Sequence, residues 1–335
     1  MEAVFLILKA KIIDSLFVKV AITGGNGFIG RKLIEALIRQ GHVANVLSRR
    51  SQPAFSSGIQ VVTGDLTSTT CPLGQLLEDC QVIFHCAGEI RNIAAMELLH
   101  IDGTKRLLKA ALNEAALKQR QIHWVQLSSV GAYGPPQESP SARRVVTEDT
   151  PTRPIGVYEV TKTLSDELVI QASNSGSITY SIVRPSNVIG AGMSNRSLHT
   201  MGEMVRKGLF FYIGRAGAVA PYVHVDDVAE VLRICGVDHR AKGKIFNISN
   251  DCLLEEMIAG MASALGVRPP WLRFPEAGVR IVACIGTMVV PIPLTQERIN
   301  ALVARTRYPC RKLEQELGFT PRKPVPGVIG EILTK

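Results

Sequence analysis

No stretch of this chain is apolar and unbroken for long enough to span a bilayer. The longest uncharged apolar run, 281–296, is interrupted by Pro291 and Pro293, and its continuous part is about half of the roughly 20 residues a spanning helix needs. No cleavable leader is expected either: the apolar stretch Ala3 to Leu8 is short, and Lys9 and Lys11 follow it without a small-residue cleavage site. A cytoplasmic location is therefore expected, with residues 1–17 as an extension. Seven cysteines, at 71, 80, 86, 235, 252, 284 and 310, include no C-x-x-C pair. An odd number in a chain of this size predicts neither a disulfide framework nor a zinc site, and no metal is expected. The chain has no internal repeat, no low-complexity tract and no basic run of the kind that binds nucleic acid. Its net charge of +9 is read instead as favouring an anionic small-molecule substrate.

What is present is the composition of a folded globular protein. The 335 residues are 46% hydrophobic and 20% charged, enough for about two domains. Val18 to Thr23, Val43 to Ser48, Ile59 to Thr63, Val82 to Cys86, Ile122 to Ser128 and Ile178 to Arg184 read as strands separated by amphipathic helical segments. That alternation predicts βαβ units, and the near-continuous Val, Ile and Leu of the strands predicts helices on both faces of a parallel sheet. The expected fold is α/β and doubly wound. A sheet domain is expected over 18–184, completed by 223–250 with a further strand at Lys244 to Ser249; 185–222 and 251–335 would form a smaller lobe.

The first strand ends in Thr23-Gly24-Gly25-Asn26-Gly27-Phe28-Ile29-Gly30 and a helix runs on to Gln40. Glycine is needed where a turn takes positive φ, where backbone approaches a pyrophosphate and where helix packs on strand, and the helix N-terminus then stabilises the anion. A dinucleotide site follows. The second strand ends Ser48-Arg49-Arg50, where an NAD site usually carries an acidic residue; guanidinium suits a 2′-phosphate, so NADP is favoured over NAD. Asp65, in Gly64-Asp65-Leu66, is placed to meet the adenine amino group or simply to close a turn. Tyr158 and Lys162 lie four apart on a predicted helix and project from one face. A lysine ammonium there would lower the phenol pKa, and Ser129, ending the fifth strand, could hold the reacting oxygen.

With these motifs the chain resembles an extended short-chain dehydrogenase/reductase (Rossmann fold) of the NAD-dependent epimerase/dehydratase family. The resemblance rests on TGGNGFIG at 23–30, GDL at 64–66, HCAG at 85–88, SSVGAYG at 128–134, YEVTK at 158–162, RPSNVIG at 184–190 and YVHVDDVA at 222–229. It implies that Ser129, Tyr158 and Lys162 are catalytic. It further implies a cofactor held by Gly24, Gly27, Phe28, Ile29, Gly30, Arg49, Asp65, Leu66, Ala87 and Lys162, and hydride transfer at a secondary alcohol or ketone. A homodimer paired through the helix of Tyr158 and the one before it is a further expectation.

Departures from the family narrow the chemistry. Val130 and Gly131 follow Ser129 where 4,6-dehydratases carry Asp and Glu, so elimination of water is not expected. Ala220 stands where nucleotide-sugar relatives often place an arginine. The stretch 268–323 holds ten Lys or Arg against four Glu, and Arg305 with Asn187 is the expected substrate pair. The leading reading is an epimerase or keto-sugar reductase on a nucleotide-activated sugar. The alternatives are an oxidoreductase like the 3β-hydroxysteroid and dihydroflavonol relatives, acting on an apolar ketone or alcohol, and a silent NADP sensor. Asp226 or Asp227 is expected to cap a helix beside His224, His85 and Cys86 to line the cofactor cleft, and the Val- and Ile-rich 277–293 segment to form core, a pocket wall or a membrane-touching patch.

Overall fold

A computed structural model describes residues 18–51, 58–193, 196–289 and 295–333, with backbone only at 285–289. The chain divides into two compact units. Of the described residues, the first comprises those within 18–132, Pro154–Arg184 and Ala229–Phe246, the second those within Tyr133–Arg153, Pro185–Val228 and 247–333. Residues 1–17, and the part of the 277–293 segment from 290 onward, lie outside the described residues.

The first unit is built on strands β1 (Lys19–Thr23), β2 (Val43–Ser48), β3 (Ile59–Thr63), β4 (Val82–His85), β5 (Ile122–Leu127) and β7 (Ile178–Pro185), joined at one edge by β12 (Lys244–Ile248). Their order across the sheet is β12-β7-β5-β4-β1-β2-β3. Each pairing from β7 through β3 is parallel. Every residue of β4 and β5 is buried, as their apolar β-branched and aromatic content requires when both sheet faces are covered. Helices α1 (Phe28–Arg39), α2 (Thr104–Leu117), α3 (Val157–Ser173) and α4 (Val225–Val237) supply the crossovers. On one face Leu107, Leu108 and Ala111 of α2 join Ala21, Ile83 and Trp124 in a single apolar cluster. The strand order reverses between β1 and β4, and in such sheets ligands bind beyond the carboxyl ends of the strands at that reversal.

The second unit holds four two-stranded sheets. They pair β6 (Arg143–Val145) with β15 (Arg305–Arg307), β8 (Asn187–Ile189) with β11 (Tyr222–His224), β9 (Tyr212–Ile213) with β14 (Arg273–Phe274) and β10 (Val219–Ala220) with β13 (Cys252–Leu253). Its core joins Ile189, Phe210, Tyr212, Met257, Ile258 and Ile329. The division differs from the sequence expectation at 133–153, 223–228 and 247–250, which were assigned to the sheet domain. At 133–153 the cause is local bonding: β6 pairs in parallel with β15, the Tyr133 hydroxyl donates to Asn247 Oδ1 at 2.8 Å, and the Asn247 N–H donates to Glu148 Oε1 at 2.7 Å. No helix among the described residues is long and apolar enough to cross a membrane.

Candidate functional site

The turn after β1 is shaped by two glycines that no other residue could replace without movement. Gly24 has φ +72°, and a Cβ there would lie 2.5 Å from the backbone N of Ala87; at Gly30 it would lie 2.2 Å from the carbonyl oxygen of Gly24. Gly27 caps α1, with its N–H on the Gly24 carbonyl at 2.9 Å. No acidic residue occupies the first turn of α1, so no like charge opposes an anion at its N-terminus. Phe28 and Ile29 are half-buried in that turn. At the end of β2, Arg49 is exposed and no acidic side chain stands beside it in sequence, while Asn26 Nδ2 donates to Ser48 Oγ at 2.8 Å and ties the glycine turn to this strand.

Asp65 is committed to a turn: its Oδ1 accepts the N–H and the hydroxyl of Thr67 at 2.8 and 2.7 Å. Burial pushes its pKa up, but the Thr67 bonds with Arg49 and Arg106 nearby outweigh it and hold the carboxyl below its ordinary value. Leu66 is buried and its carbonyl accepts Arg106 Nε and Nη2 at 3.2 and 3.0 Å, which leaves only its N–H for a ligand. Ala87 is half-buried, with its N–H directed at Thr23 Oγ1 at 3.4 Å.

His85 does not line a cleft. It is buried in a hydrogen-bonded chain, with Nδ1 2.6 Å from Thr23 Oγ1 and Nε2 3.0 Å from Thr104 Oγ1. Thr104 Oγ1 in turn donates to the His100 carbonyl at 2.6 Å, which makes Nε2 the donor of His85. Burial and the neighbouring Lys162 keep this ring neutral, with its pKa well below the usual value. Sequence reading missed the chain because each member is a common residue whose partner is far away along the polypeptide.

Ser128 and Ser129 separate into two roles. Ser128 is buried and donates to Asp166 Oδ2 at 2.7 Å, beside Arg184 Nη2 at 3.1 Å from the same oxygen. Ser129 is half-buried, and its Oγ accepts the Gly131 N–H at 3.0 Å, leaving its proton for a ligand. Gly131 is required by Glu159, whose Cγ would lie 2.6 Å from a Cβ there; a carboxylate side chain at that position has no room.

On α3, Tyr158 and Lys162 stand one turn apart, with Lys162 buried and Tyr158 half-buried. Among the described residues neither the Tyr158 hydroxyl nor the Lys162 Nζ makes a hydrogen bond. A lysine side chain only 4% exposed, with no hydrogen bond to its ammonium among the described residues, suits a ligand oxygen. Together with the glycine cradle it fits a dinucleotide, which Lys162, Gly24, Gly27 and Gly30 would hold. His100 positions the tyrosine: the two rings meet edge-on with centroids 5.7 Å apart. His100 itself is pinned by the Glu89 N–H at Nε2 (2.9 Å) and by Thr161 Oγ1 at Nδ1 (2.8 Å). Burial opposes the lowering of the tyrosine pKa that the sequence reading expected from lysine. Burial pushes the Tyr158 phenol up to about 12, with Glu159 and Asp166 adding to it, while burial lowers Lys162 against the pull of Asp166.

In the second unit, Asn187 is exposed and its Nδ2 donates to the Pro221 carbonyl at 3.1 Å. Arg305 Nη2 donates to the carbonyls of Arg215 and Ala216 at 3.0 and 2.7 Å. The cap expected from Asp226 or Asp227 belongs to His224 instead, whose Nδ1 accepts the Asp226 N–H at 3.2 Å. Asp226 pairs with Lys323 Nζ at 2.6 Å, and Asp227 accepts the N–H groups of Arg322 and Lys323, each at 3.2 Å.

Comparison with known proteins agrees with this arrangement. The NAD dependent epimerase/dehydratase family matches residues 20–249. A 4-hydroxy-2-methyl-3-oxo-4-farnesyl-3,4-dihydroquinoline-1-oxide ketoreductase of Stigmatella aurantiaca is 26% identical over 84% of this chain and 83% of its own length. A ceramide reductase of Caulobacter vibrioides is 26% identical over 78% of this chain and 74% of its own. Among solved structures, MoeE5 in complex with UDP-glucose and NAD shares the fold with a TM-score of 0.69 at 21% identity, covering 94% of this chain and 97% of that one. The chain belongs to the NAD-dependent epimerase/dehydratase family and is an NAD(P)-dependent enzyme of the extended short-chain dehydrogenase/reductase type.

Proposed function

We propose that this enzyme uses NADPH to interconvert a ketone and a secondary alcohol on a largely apolar substrate. The observation that carries the substrate class is the state of Arg305. Its Nη2 is bound to two backbone carbonyls, and the position where nucleotide-sugar relatives often carry an arginine is the buried Ala220. A nucleotide sugar would thus lack that arginine and find Arg305, the one cation the sequence reading assigned to it, already engaged through Nη2. Two relatives aligned over most of their length act, by their names, on a farnesylated quinoline oxide and a ceramide, which supports the same class.

In this reading the bound nicotinamide supplies or accepts the hydride. Tyr158 passes the proton to and from the reacting oxygen, Ser129 donates a hydrogen bond to that oxygen, and Lys162 holds the ribose and places positive charge beside the phenol. Glu159 fills the space beside Ser129 and Gly131, which supports oxidation and reduction rather than dehydration.

The test is a paired screen following NADPH consumption, with a long-chain hydrophobic ketone in one arm and 4-keto nucleotide sugars in the other. Turnover confined to the hydrophobic arm is expected; turnover confined to the sugars would sink the proposal. A second reading, nucleotide-sugar reduction, draws on a cavity of about 680 Å³ in the second unit, lined by Arg215, Arg273, Phe274, Glu276, Val303 and Arg305.

Cofactor choice gives a separate prediction. Arg49→Ala is expected to weaken NADPH binding about 10- to 100-fold and leave NADH binding nearly unchanged, since a charged hydrogen-bond pair contributes about 1.5–3 kcal/mol. Fluorescence titration of both nucleotides checks it, and equal losses for the two would remove Arg49 from the 2′-phosphate site.

A further inference from the structure

The second unit carries an apolar surface that its own fold does not cover. Strand β14 lies parallel to β9 with Arg273 opposite Tyr212 and Phe274 opposite Ile213, and the Tyr212 N–H donates to the Leu272 carbonyl at 2.9 Å. Behind this ribbon, helix α5 (Glu276–Val289) turns Val279 and Ala283 into a small core with Ile213, Ile299 and Val303, against which Phe211 packs. The outward residues of the same pieces are large and apolar. Trp271 is 83% exposed, Leu209 61%, Ile281 60% and Val282 59%, with Leu272 and Phe274 also exposed. On an ordinary surface such residues occur singly; six of them on the segments 209–213, 271–274 and 276–289 mark an interaction face.

The charges around this face select the partner. The neighbouring carboxylates are neutralised within the unit, Glu255 by Arg273 at 2.8 Å and Glu276 by Arg280 at 2.8 Å. Lys207 precedes Leu209 by two residues, Arg268 precedes Trp271 by three and Arg215 follows Ile213 by two; all three are exposed, with no salt bridge among the described residues. The surplus is positive on a chain already at +9. Exposed tryptophan and aliphatic side chains fringed by Lys and Arg are the chemistry that partitions into the headgroup region of an anionic bilayer, apolar atoms below and cations at the phosphate level.

We infer that the face formed by Leu209, Trp271, Leu272, Phe274, Ile281 and Val282 docks the enzyme reversibly on an anionic lipid surface. Attachment is peripheral. It goes beyond the proposed catalytic function and holds whichever substrate the site accepts. Each of the three unpaired cations contributes about a fivefold gain in partitioning near an anionic surface, and this part fades with salt as the Debye length shortens.

The chain carries its own reporter for the test. Of its two tryptophans, Trp124 is fully buried in the sheet core while Trp271 is exposed, so a change in emission on adding lipid reports Trp271. The full-length protein is mixed with vesicles of phosphatidylcholine alone and of phosphatidylcholine with phosphatidylglycerol, and both emission and co-sedimentation are followed. Expected are a blue shift and co-sedimentation on the anionic vesicles, weakened by salt, abolished in a Trp271→Ala/Ile281→Glu double variant and reduced several-fold in a Lys207→Glu/Arg268→Glu variant. All four positions are exposed, and near-ultraviolet circular dichroism verifies that the variants are folded. Equal binding to both vesicle types overturns the anionic assignment. No binding to either overturns the inference, as does a lipid-free, concentration-dependent dimer that Ile281→Glu dissociates, which would assign the face to a second copy of the chain.

Discussion

Replacing Tyr158 by phenylalanine is expected to lower kcat about 10²- to 10⁴-fold, the range of a positioned proton donor, while NADPH binding and thermal stability stay close to the parent values. The reasoning is geometric. The hydroxyl makes no hydrogen bond within the described protein, so removing it strands no partner. The ring survives in the variant, and with it the edge-on contact to His100 at 5.7 Å. Loss of rate without loss of fold therefore isolates the proton transfer. Because burial holds the phenol near 12, it is protonated throughout the neutral range. Ketone reduction has its proton ready, whereas alcohol oxidation must first deprotonate the tyrosine and should accelerate as pH rises. Lys162→Met should lose both rate and cofactor affinity, since its buried ammonium is assigned to the ribose as well as to the phenol. Steady-state kinetics in both directions with isothermal titration of NADPH check these outcomes. A phenylalanine variant retaining most of its turnover would remove Tyr158 from the reaction.

The contrast between Tyr158 and His100 shows what the sequence could and could not reveal. A tyrosine and a lysine four apart on a helix share a face by helical geometry alone, so their pairing was legible in one line of sequence. The sheet was legible for a similar reason: Val43–Ser48 and Ile59–Thr63 are short, mostly apolar runs between helical segments, and their observed bounds match the expected ones. His100 lies far along the chain from Tyr158 and its ring nitrogens are satisfied by Glu89 and Thr161, an arrangement that exists only once the chain is folded. The bonds of Arg305 Nη2 were hidden for the same reason, because nothing local announces that the carbonyls at 215 and 216 will accept from it. The displacement of 133–153 into the second unit depends on β6 finding β15 across about half the chain, a non-local pairing invisible to any sequence window.

The second large effect is on stability in mild acid, and its sign follows from the buried histidines. Burial lowers His100 to about 4, with Lys162 reinforcing and Glu89 opposing. Burial likewise lowers His123 to about 4 against its bond to the Cys235 carbonyl. His85 moves in the same direction. Hydrogen bonding locks in the neutral form of His100, whereas at His123 burial prevails over it. His100 Nε2 accepts an N–H at 2.9 Å, so a proton there would face a donor. His123 directs Nε2 at the Cys235 carbonyl at 2.9 Å and Nδ1 at Thr179 Oγ1 at 2.8 Å. In the unfolded chain these rings titrate near 6.5. Between about pH 6.5 and 4 the unfolded state therefore binds protons that the native state refuses, and stability falls as pH falls through that window. Each ring with a pKa near 4 contributes about 3 kcal/mol when the window is fully crossed, a large part of the 5–15 kcal/mol typical of a folded domain. Asp166 and Asp251, both raised by burial, act in the opposite direction, since their stabilising contribution returns as pH falls through their native pKa values. Urea unfolding from pH 7.5 to 4.5 should thus show stability dropping by several kcal/mol, with a slope of up to about 2.7 kcal/mol per pH unit for two protons; a flat profile between 6.5 and 5 would refute the assignment. Substituting His123 by glutamine should flatten the profile without touching catalysis. Substituting His100 by asparagine should flatten it and also lower kcat, because that ring supports Tyr158.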